Sequence, residues 1–311
     1  MAGNGATAGF EEWPELPYES WTDTRDTLHM YTQVVGKLRL ALAPFEPQWA
    51  EVPLYVTARG LTTSPMPLGL RTLEVDFDLI DHRLYLATSD GAVRRISLEP
   101  RTVADFYREF LEALDELDAR VDFTAAPSEV SDPIPFPDDT VHRSYDPDAV
   151  NRFFRVLSQV DVVLKEYRAP FRGRTTPVHF FWGTFDHAVA RYSGRDAEPY
   201  GDDIIIRLST DAELMAAGWW PGSDEFPEPA FFSFTYPKPD GLEREQVEPA
   251  AAFWSDKVGE FILRYHDARA ERDPRAAILG FLNSTYDAGA RLAGWDPRLV
   301  RRAAQRSEQG H

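Results

Sequence analysis

The segment SQVDVVLKEYRAPF (residues 158–171) repeats the segment TQVVGKLRLALAPF (residues 32–45), which lies 126 positions earlier in the chain, without a gap. The Gln-Val pair near the start, a central Leu and the closing Ala-Pro-Phe are identical. Both segments space their apolar residues as one face of a helix does. Each predicted helix ends before the proline near the end of its segment, because proline cannot continue a helix. We predict a duplicated helix followed by a strand. Chance similarity between two amphipathic helices is the alternative interpretation.

Outward from these two helices, the hydrophobic pattern predicts the same series of elements twice. The first unit, residues 10–126, begins with a helix that ends at Leu42. Four strand-like runs follow, at 52–59, 71–80, 83–88 and 93–98, and the unit closes with a helix at 101–118. In the second unit, residues 148–300, the corresponding elements are 148–168, 178–185, 204–208, 231–236, 260–265 and 274–292. The predicted fold class is α+β, a pseudo-duplicated pair of α-β-β-β-β-α units whose mostly antiparallel sheets are covered by helices. Whether the two sheets join at their edges stays open.

Segments rich in proline connect and flank the two units. Residues 127–147 hold five prolines and are predicted to be a linker that lies on the surface as a strap. The segment WPELPYESW (residues 13–21) is too rich in proline for a regular element, yet its aromatic residues predict that it packs on the body of the fold. A long excursion is predicted at 218–229. The first nine and the last eleven residues are expected to be mobile.

The composition is that of a globular protein, since 43% of the 311 residues are hydrophobic and 27% are charged. A formal net charge of −18 repels phosphate backbones, so we expect neither nucleic acid nor an anionic membrane as a partner. The absence of cysteine excludes disulfides, thiolate nucleophiles and iron–sulfur clusters. The N-terminal sequence lacks a signal-peptide pattern, and no apolar run approaches the ~18 residues of a membrane span. We expect a cytoplasmic protein without a cofactor.

Five longer motifs carry a family resemblance: WPELPYESW (13–21), VPLYVTARGLTTSP (52–65), DPIPFPDDTVH (132–142), PVHFFWGTFD (177–186) and PEPAFFSFTYP (227–237). On these motifs, which span nearly the whole chain, the sequence resembles a family of uncharacterised bacterial proteins that carry a domain of unknown function. The resemblance implies a bacterial origin, but no established activity, substrate or site. In that family the residue after the Trp-Gly-Ser/Thr-Phe-Asp motif is usually apolar. This chain has His187 there, so the resemblance implies no general role for that histidine.

Candidate catalytic residues have to be considered singly, because the sequence contains no established catalytic motif. His179 is the strongest candidate for a general base, with Asp186 as the residue that orients it. On one unbroken strand these two side chains point to opposite faces, whereas a turn at Gly183-Thr184 changes that parity. The structural alternative is a histidine that donates to a backbone carbonyl in an aromatic core. No metal site is predicted, since His179 and His187 on a straight strand lie roughly 26 Å apart.

Four polar side chains occupy repeated positions on the two helices: His29, Gln33, Arg155 and Gln159. If a two-fold axis relates the units, these side chains converge at the seam between them, which is a favoured place for a pocket. The alternative is that each glutamine binds neighbouring backbone. Trp182 is predicted to line the same pocket. Arg59, followed by hydroxyl-bearing residues, is either part of an anionic-ligand site or simply part of a turn.

Three functions follow as hypotheses. The first is binding of a small organic molecule in a pocket between the two units, lined by His29, Gln33, His179 and Trp182. The second is a metal-independent, hydrolase-like enzyme that uses His179 and Asp186. The third is a protein-interaction module, which predicts extensive exposed aromatic surface at Trp219 and Trp220. The oligomeric state stays open.

Overall fold

The computed structural model describes residues 12–301, and its longest elements are two central helices. They are α1 (Thr22–Leu42) and α3 (Pro147–Arg168), whose last residues lie 126 positions apart. α3 begins where the Asp146 carboxylate accepts hydrogen bonds from two backbone amides, with a proline at the first helical position. The other helices are α2 (Val103–Glu116), α4 (Ile204–Ser209), α5 (Tyr265–Ala270) and α6 (Pro274–Leu292). The termini predicted to be mobile lie outside the described residues, except for Arg301.

The first sheet contains six antiparallel strands: β1 (Tyr55–Val56), β2 (Gly60–Thr62), β3 (Met66–Leu68), β4 (Arg71–Asp78), β5 (Arg83–Thr88) and β6 (Val93–Ser97). The strand order is β1-β2-β4-β5-β6, and β3 also pairs with β4. On β4, Leu73, Val75 and Phe77 are buried, whereas Glu74 and Asp76 between them are only partly covered. This alternation is that of a strand with one face on the core. The inner face packs on α1 and α2.

The second sheet also contains six strands: β7 (His179–Phe181), β8 (Asp186–Asp196), β9 (Ala212–Trp220), β10 (Ala230–Tyr236), β11 (Phe253–Ser255) and β12 (Glu260–Arg264). All neighbours are antiparallel, in the order β11-β12-β10-β9-β8-β7. The inner face, with the fully buried Trp219, packs on α3, α5 and α6. The outer face carries a separate apolar cluster around Ala188, Phe232 and Ile262. Both faces of this sheet therefore bury apolar side chains.

The two sheets meet at their edges through one backbone pair. Leu54 and Phe180 exchange two N–H···O hydrogen bonds, each 2.9 Å long. These two residues lie beyond the repeated segments but 126 positions apart, the same offset as the repeat. Beneath this contact, one continuous hydrophobic core includes residues of α1, α3 and the inner faces of both sheets. The halves thus have separate sheets but share a core.

The α+β class is confirmed, but several details of the prediction are wrong. Each sheet has six strands rather than four. The predicted strand at 178–185 is instead the start of a hairpin, because residues 182–185 form a turn in which Phe185 has a φ of 59°. The predicted strand at 204–208 is α4, since Asp203 accepts hydrogen bonds from two backbone amides and starts a helix. Residues 218–220 of the predicted excursion belong to β9.

The proline-rich segments lie against the body of the fold. In the N-terminal segment, Trp13, Leu16, Tyr18 and Trp21 are buried. In the 127–147 segment, Phe136 is fully buried, and its ring centroid lies 5.7 Å from that of Tyr107 on α2. Aromatic residues therefore anchor segments whose prolines prevent regular structure.

Candidate functional site

A cavity of about 500 Å³ lies over the outer face of the second sheet. Its floor is formed by small side chains, namely Ala188 and Ala190 of β8 and Ala216 of β9. The strand register places Ala190 directly opposite Ala216. Because larger side chains at these positions would fill the space above the sheet, the placement of alanine creates the cavity.

Aromatic side chains form the walls of the cavity, and segments outside the sheet cover it. The aromatic residues of the second half are Phe181, Trp182, Tyr192, Trp220, Phe232 and Phe234. α4 contributes Ile205 to the lining and is held by Trp49, whose indole N–H donates to the Ile205 carbonyl at 3.1 Å. Leu40 and Val52 add to the lining from the first half of the chain. The cavity therefore lies between residues of both halves.

Three carboxyl groups enter this mostly apolar space. Burial, reinforced by the charge of Glu129, raises the pKa of Asp186 to about 7, although the Thr184 hydroxyl donates to the carboxylate. Burial and the charge of Asp186 raise the pKa of Glu260 to about 8. Most of Glu129 is exposed, but its carboxyl group lies against Gly183. Burial of this group raises the pKa of Glu129. Near neutral pH, Asp186 and Glu260 are therefore only partly ionised.

Two polar residues one turn apart on α1 hold the rim of the cavity. His29 Nε2 lies 2.9 Å from the Trp182 carbonyl and 3.0 Å from the Gly183 carbonyl, so this nitrogen must carry the proton. Gln33 donates to the Ser128 carbonyl at 2.8 Å and accepts from the Ser128 amide at 3.0 Å. Neither His29 nor Gln33 lines the cavity. They position the turn and the loop that do.

Trp182 is a predicted binding residue that does line the cavity. Its indole N–H donates to the Val52 carbonyl at 2.8 Å, and the Lys37 ammonium lies 5.6 Å from the ring centroid. The ring lies directly on α1 at Gly36, where any Cβ would overlap it. Glycine at this helical position therefore permits the close approach of Trp182.

His179 and Asp186 share one face of the β7–β8 hairpin, because His179 pairs with Ala188 and Phe181 with Asp186. Within residues 12–301, neither ring nitrogen of His179 has a hydrogen-bond partner, so the ring bonds neither to Asp186 nor to a backbone carbonyl. The ring is 1% exposed and packs against Tyr55 and Phe181. Burial lowers its pKa to about 3. The structure places Asp186 in the cavity lining and His179 outside it.

Arg155 and Gln159 lie on α3, away from the cavity. Gln159 accepts from the Trp13 amide at 2.9 Å and donates to the Arg155 carbonyl at 3.2 Å. Gln33 likewise bonds to the backbone of Ser128. The structure thus agrees with the alternative interpretation, in which each glutamine binds neighbouring backbone. The four polar residues of the repeat therefore do not meet in one pocket.

Arg59 lies in the turn before β2. Its guanidinium donates to Asp78 at 2.6 Å and to Asp81 at 2.7 Å. Because two carboxylates already neutralise this side chain, the geometry favours the turn over an anionic-ligand site.

His187 lies on the inner face of β8, opposite the cavity. Its Nε2 is 3.2 Å from the Asp161 carboxylate, which also accepts from Lys165 at 2.6 Å. The hairpin brings His179 and His187 onto adjacent strands, so the expectation that they lie far apart on one strand is wrong. In the described part of the chain, no three His, Asp or Glu side chains are arranged to hold a metal ion.

Sequence reasoning missed Glu260 and Trp220 as cavity residues. The signal was weak, since Glu260 shares the outer face of β12 with the apolar Ile262 but also with Arg264. Trp219 is fully buried on the inner face, while Trp220 lines the cavity on the other. These two residues therefore do not form the exposed aromatic surface on which the interaction-module hypothesis depends.

Comparisons with known proteins give one match. A model of a family of unknown function, DUF5996, matches residues 13–302, which is nearly the whole chain. No curated protein and no solved structure matches. Within residues 12–301, no helix is both long and apolar enough to cross a membrane.

Proposed function

We propose that this chain, which belongs to the DUF5996 family of unknown function, binds a small organic molecule in the cavity on the outer face of the second sheet. The observation that carries the proposal is the cavity of about 500 Å³, walled by aromatic side chains and entered by carboxyl groups. Sites for small ligands typically hold roughly 300–1,000 Å³ and combine an apolar lining with a few polar groups. The proposal keeps a pocket between the two halves, but its lining differs from the predicted set.

The cost of the arrangement supports a functional role. Asp186 and Glu260 have raised pKa values because their surroundings disfavour the charged forms. Carboxyl groups held in this way inside a cleft are characteristic of functional sites. Apolar residues at the same positions would remove that cost, so the carboxyl groups are explained more readily by a ligand than by folding.

The test compares two substitutions of the same kind. Ala216→Trp fills the cavity floor, whereas Ala87→Trp places the same side chain on the outer face of β5 in the first sheet, where alanine is covered to a similar degree. Native mass spectrometry of protein purified from its own host is expected to show a bound small molecule in the wild type and in Ala87→Trp. The molecule is expected to be absent from Ala216→Trp.

A thermal-shift screen of small organic molecules gives the second measurement. At least one class of compound is expected to raise the melting temperature of the wild type and of Ala87→Trp but not of Ala216→Trp. If no compound distinguishes the two variants and no ligand is found by mass spectrometry, the proposal is wrong.

Two predictions from the sequence remain part of the proposal, a cytoplasmic location in a bacterial cell and an origin by internal duplication. The duplication is supported by the matching ends of α1 and α3 and by the pairing of Leu54 with Phe180. Backbone superposition of the two halves, with residue 32 on residue 158, is its direct test.

A further inference from the structure

We infer that the ligand of this cavity is an organic cation, an amine or quaternary ammonium compound with an apolar body, whose charge is recognised by Asp186 and Glu260. The inference rests on the proposed binding function and adds the chemical class of the ligand. It follows from the charge of the lining, from the missing partners of one carboxyl group and from the aromatic walls.

The lining of the cavity is acidic. Among the described residues that form it, three carry a carboxyl group, and none is lysine, arginine or histidine. Lys37 acts on Glu129 from outside the lining, and its ammonium already donates to the Ser128 hydroxyl at 2.5 Å. An anionic ligand would add a further negative charge to this space, whereas a cation is attracted by it. Charge therefore selects against carboxylates and phosphates.

Glu260 is a carboxyl group without a protein partner. In the described part of the chain its side chain forms no hydrogen bond and no ion pair, although it lies among apolar residues of the outer face. By comparison, Glu228 in the neighbouring loop pairs with Arg264 at 2.9 Å. An ionised carboxylate in an apolar space is costly unless it is paired. A bound ammonium group supplies the pair that the protein omits.

The aromatic walls suit the same ligand. Trp220 and Phe232 both line the cavity, with ring centroids 5.0 Å apart. Phe226 lies outside the lining and supports the Trp220 ring in a T-shaped contact at 5.6 Å. The faces of such rings attract alkylammonium groups, and their apolar surface binds the rest of the molecule. A neutral apolar ligand would use the walls but would leave Asp186 and Glu260 without a counter-charge.

The test uses three phenyl compounds of different charge: phenyltrimethylammonium, its neutral isostere tert-butylbenzene, and the anion benzoate. At pH 8.5, calorimetry is expected to show phenyltrimethylammonium binding at least about tenfold more tightly than the other two. The Asp186→Asn/Glu260→Gln double variant is expected to lose most of this preference. Glu74→Gln, on the outer face of the first sheet, is the matched control and is expected to retain it.

The pH dependence provides a second readout. The titratable and charged groups around Asp186 are Glu260 of β12 and Glu129 of the 128–129 loop, with Lys37 and Asp203 acting on Glu129. Since the carboxyl groups must lose protons to pair with a cation, the affinity for the non-titrating ammonium probe is expected to rise between pH 6 and pH 8.5. The double variant is expected to show a flat profile.

The outcomes separate this inference from the proposed function. Equal binding of tert-butylbenzene and phenyltrimethylammonium, both lost in Ala216→Trp, would overturn the cation class and leave small-molecule binding in place. Tightest binding of benzoate, or displacement of the ammonium probe by millimolar Mg²⁺ or Ca²⁺, would also overturn it. If neither the probes nor a wider screen distinguish wild type from Ala216→Trp, both proposals fail. Where the double variant does not fold, Glu260→Gln alone replaces it.

Discussion

The outer faces of the two sheets differ, although each sheet is antiparallel and follows a long helix. On the first sheet this face carries charged and polar side chains, including Glu74 and Asp76 of β4 and the exposed Arg95 of β6. On the second sheet it carries alanine and aromatic side chains beneath α4. The polar face of the first sheet can be exposed to solvent, whereas the apolar face of the second sheet has to be covered by other segments of the chain.

The cover is supplied by longer connections between strands. In the first sheet, β4–β5 and β5–β6 are joined by four residues each, 79–82 and 89–92. In the second sheet, β8–β9 and β9–β10 are joined by 197–211 and 221–229, and the first of these includes α4. Compact connections suffice for strand pairing, whereas loops with binding roles are commonly longer. The comparison teaches that the same kind of sheet becomes a binding surface when its face is apolar and its loops are long.

The largest expected effect is that of removing the aromatic wall at Trp182. This side chain is 4% exposed, packs on Gly36 and donates to the Val52 carbonyl. Trp182→Ala is expected to lower the free energy of unfolding by about 3–5 kcal/mol, because it removes a large buried side chain. Tyr85→Ala, on the outer face of β5, is the control and is expected to cost about 1 kcal/mol or less. Equal losses in urea denaturation would contradict the contrast between the covered cavity of the second sheet and the open face of the first.

An intermediate effect is expected at the meeting point of the two sheets, where His179 packs against Tyr55. Burial holds the pKa of His179 at about 3, below its unfolded value of ~6.5, so the fold contains the neutral ring. The corresponding stability is complete above pH 6.5 and is lost as the pH falls toward 3. At pH 5 the loss amounts to about 2 kcal/mol.

His179→Leu removes this titration. Urea denaturation at pH 7.5 and pH 5 is therefore expected to show a gain for the variant over wild type that is about 2 kcal/mol larger at the lower pH. His179→Leu also removes the side chain required by the hydrolase hypothesis. A gain that does not depend on pH would show that the ring is not held neutral.

The smallest expected effect concerns Asp186 in the cavity. Its contribution to stability changes with pH in the opposite direction from that of His179. The folded pKa of Asp186, about 7, lies above its unfolded value, so the contribution of the protonated group is complete below about pH 4 and is lost as the pH rises through 7. Asp186→Asn is expected to raise the free energy of unfolding by about 1–2 kcal/mol at pH 8, because burial disfavours the ionised carboxylate that the substitution removes. Partial solvent access screens the charge and keeps this gain small. Near pH 4 the gain is expected to vanish. Glu74→Gln is expected to change stability by less than about 0.5 kcal/mol at either pH.

The main elements of the fold could be predicted from the sequence, because they depend on local periodicity. The alternating residues of β4 define its buried and outer faces, and helical spacing before Pro44 and Pro170 defines α1 and α3. The hairpin at β7–β8 was predicted only as an alternative, a turn at Gly183-Thr184, and periodicity alone could not decide for it. Its turn contains an aromatic residue, Phe185, in a left-handed conformation that such residues rarely adopt. The continuous apolar run around it is typical of a single buried strand.

The candidate site was harder to predict than the fold. The sequence identified Trp182 and Asp186 as candidate site residues, but it grouped both with His179, which is buried outside the cavity. Glu260 lies 74 positions from Asp186 in the sequence, and only the sheet order brings both to one cavity. The cavity also depends on α4, whose run of isoleucines has the composition of a strand. Local patterns carry no information about which distant segments cover a sheet.

The contact of Trp182 with Gly36 and Val52 makes the cavity a joint product of the two halves. The Trp182 wall of the cavity packs on α1. The floor is formed by β8 and β9, which begin more than 140 residues after α1 ends. A fragment that starts after the 127–147 segment would keep every strand of the second sheet and still lack the support of that wall. Truncation there would therefore abolish the pocket although Asp186 and Glu260 both stay in the chain.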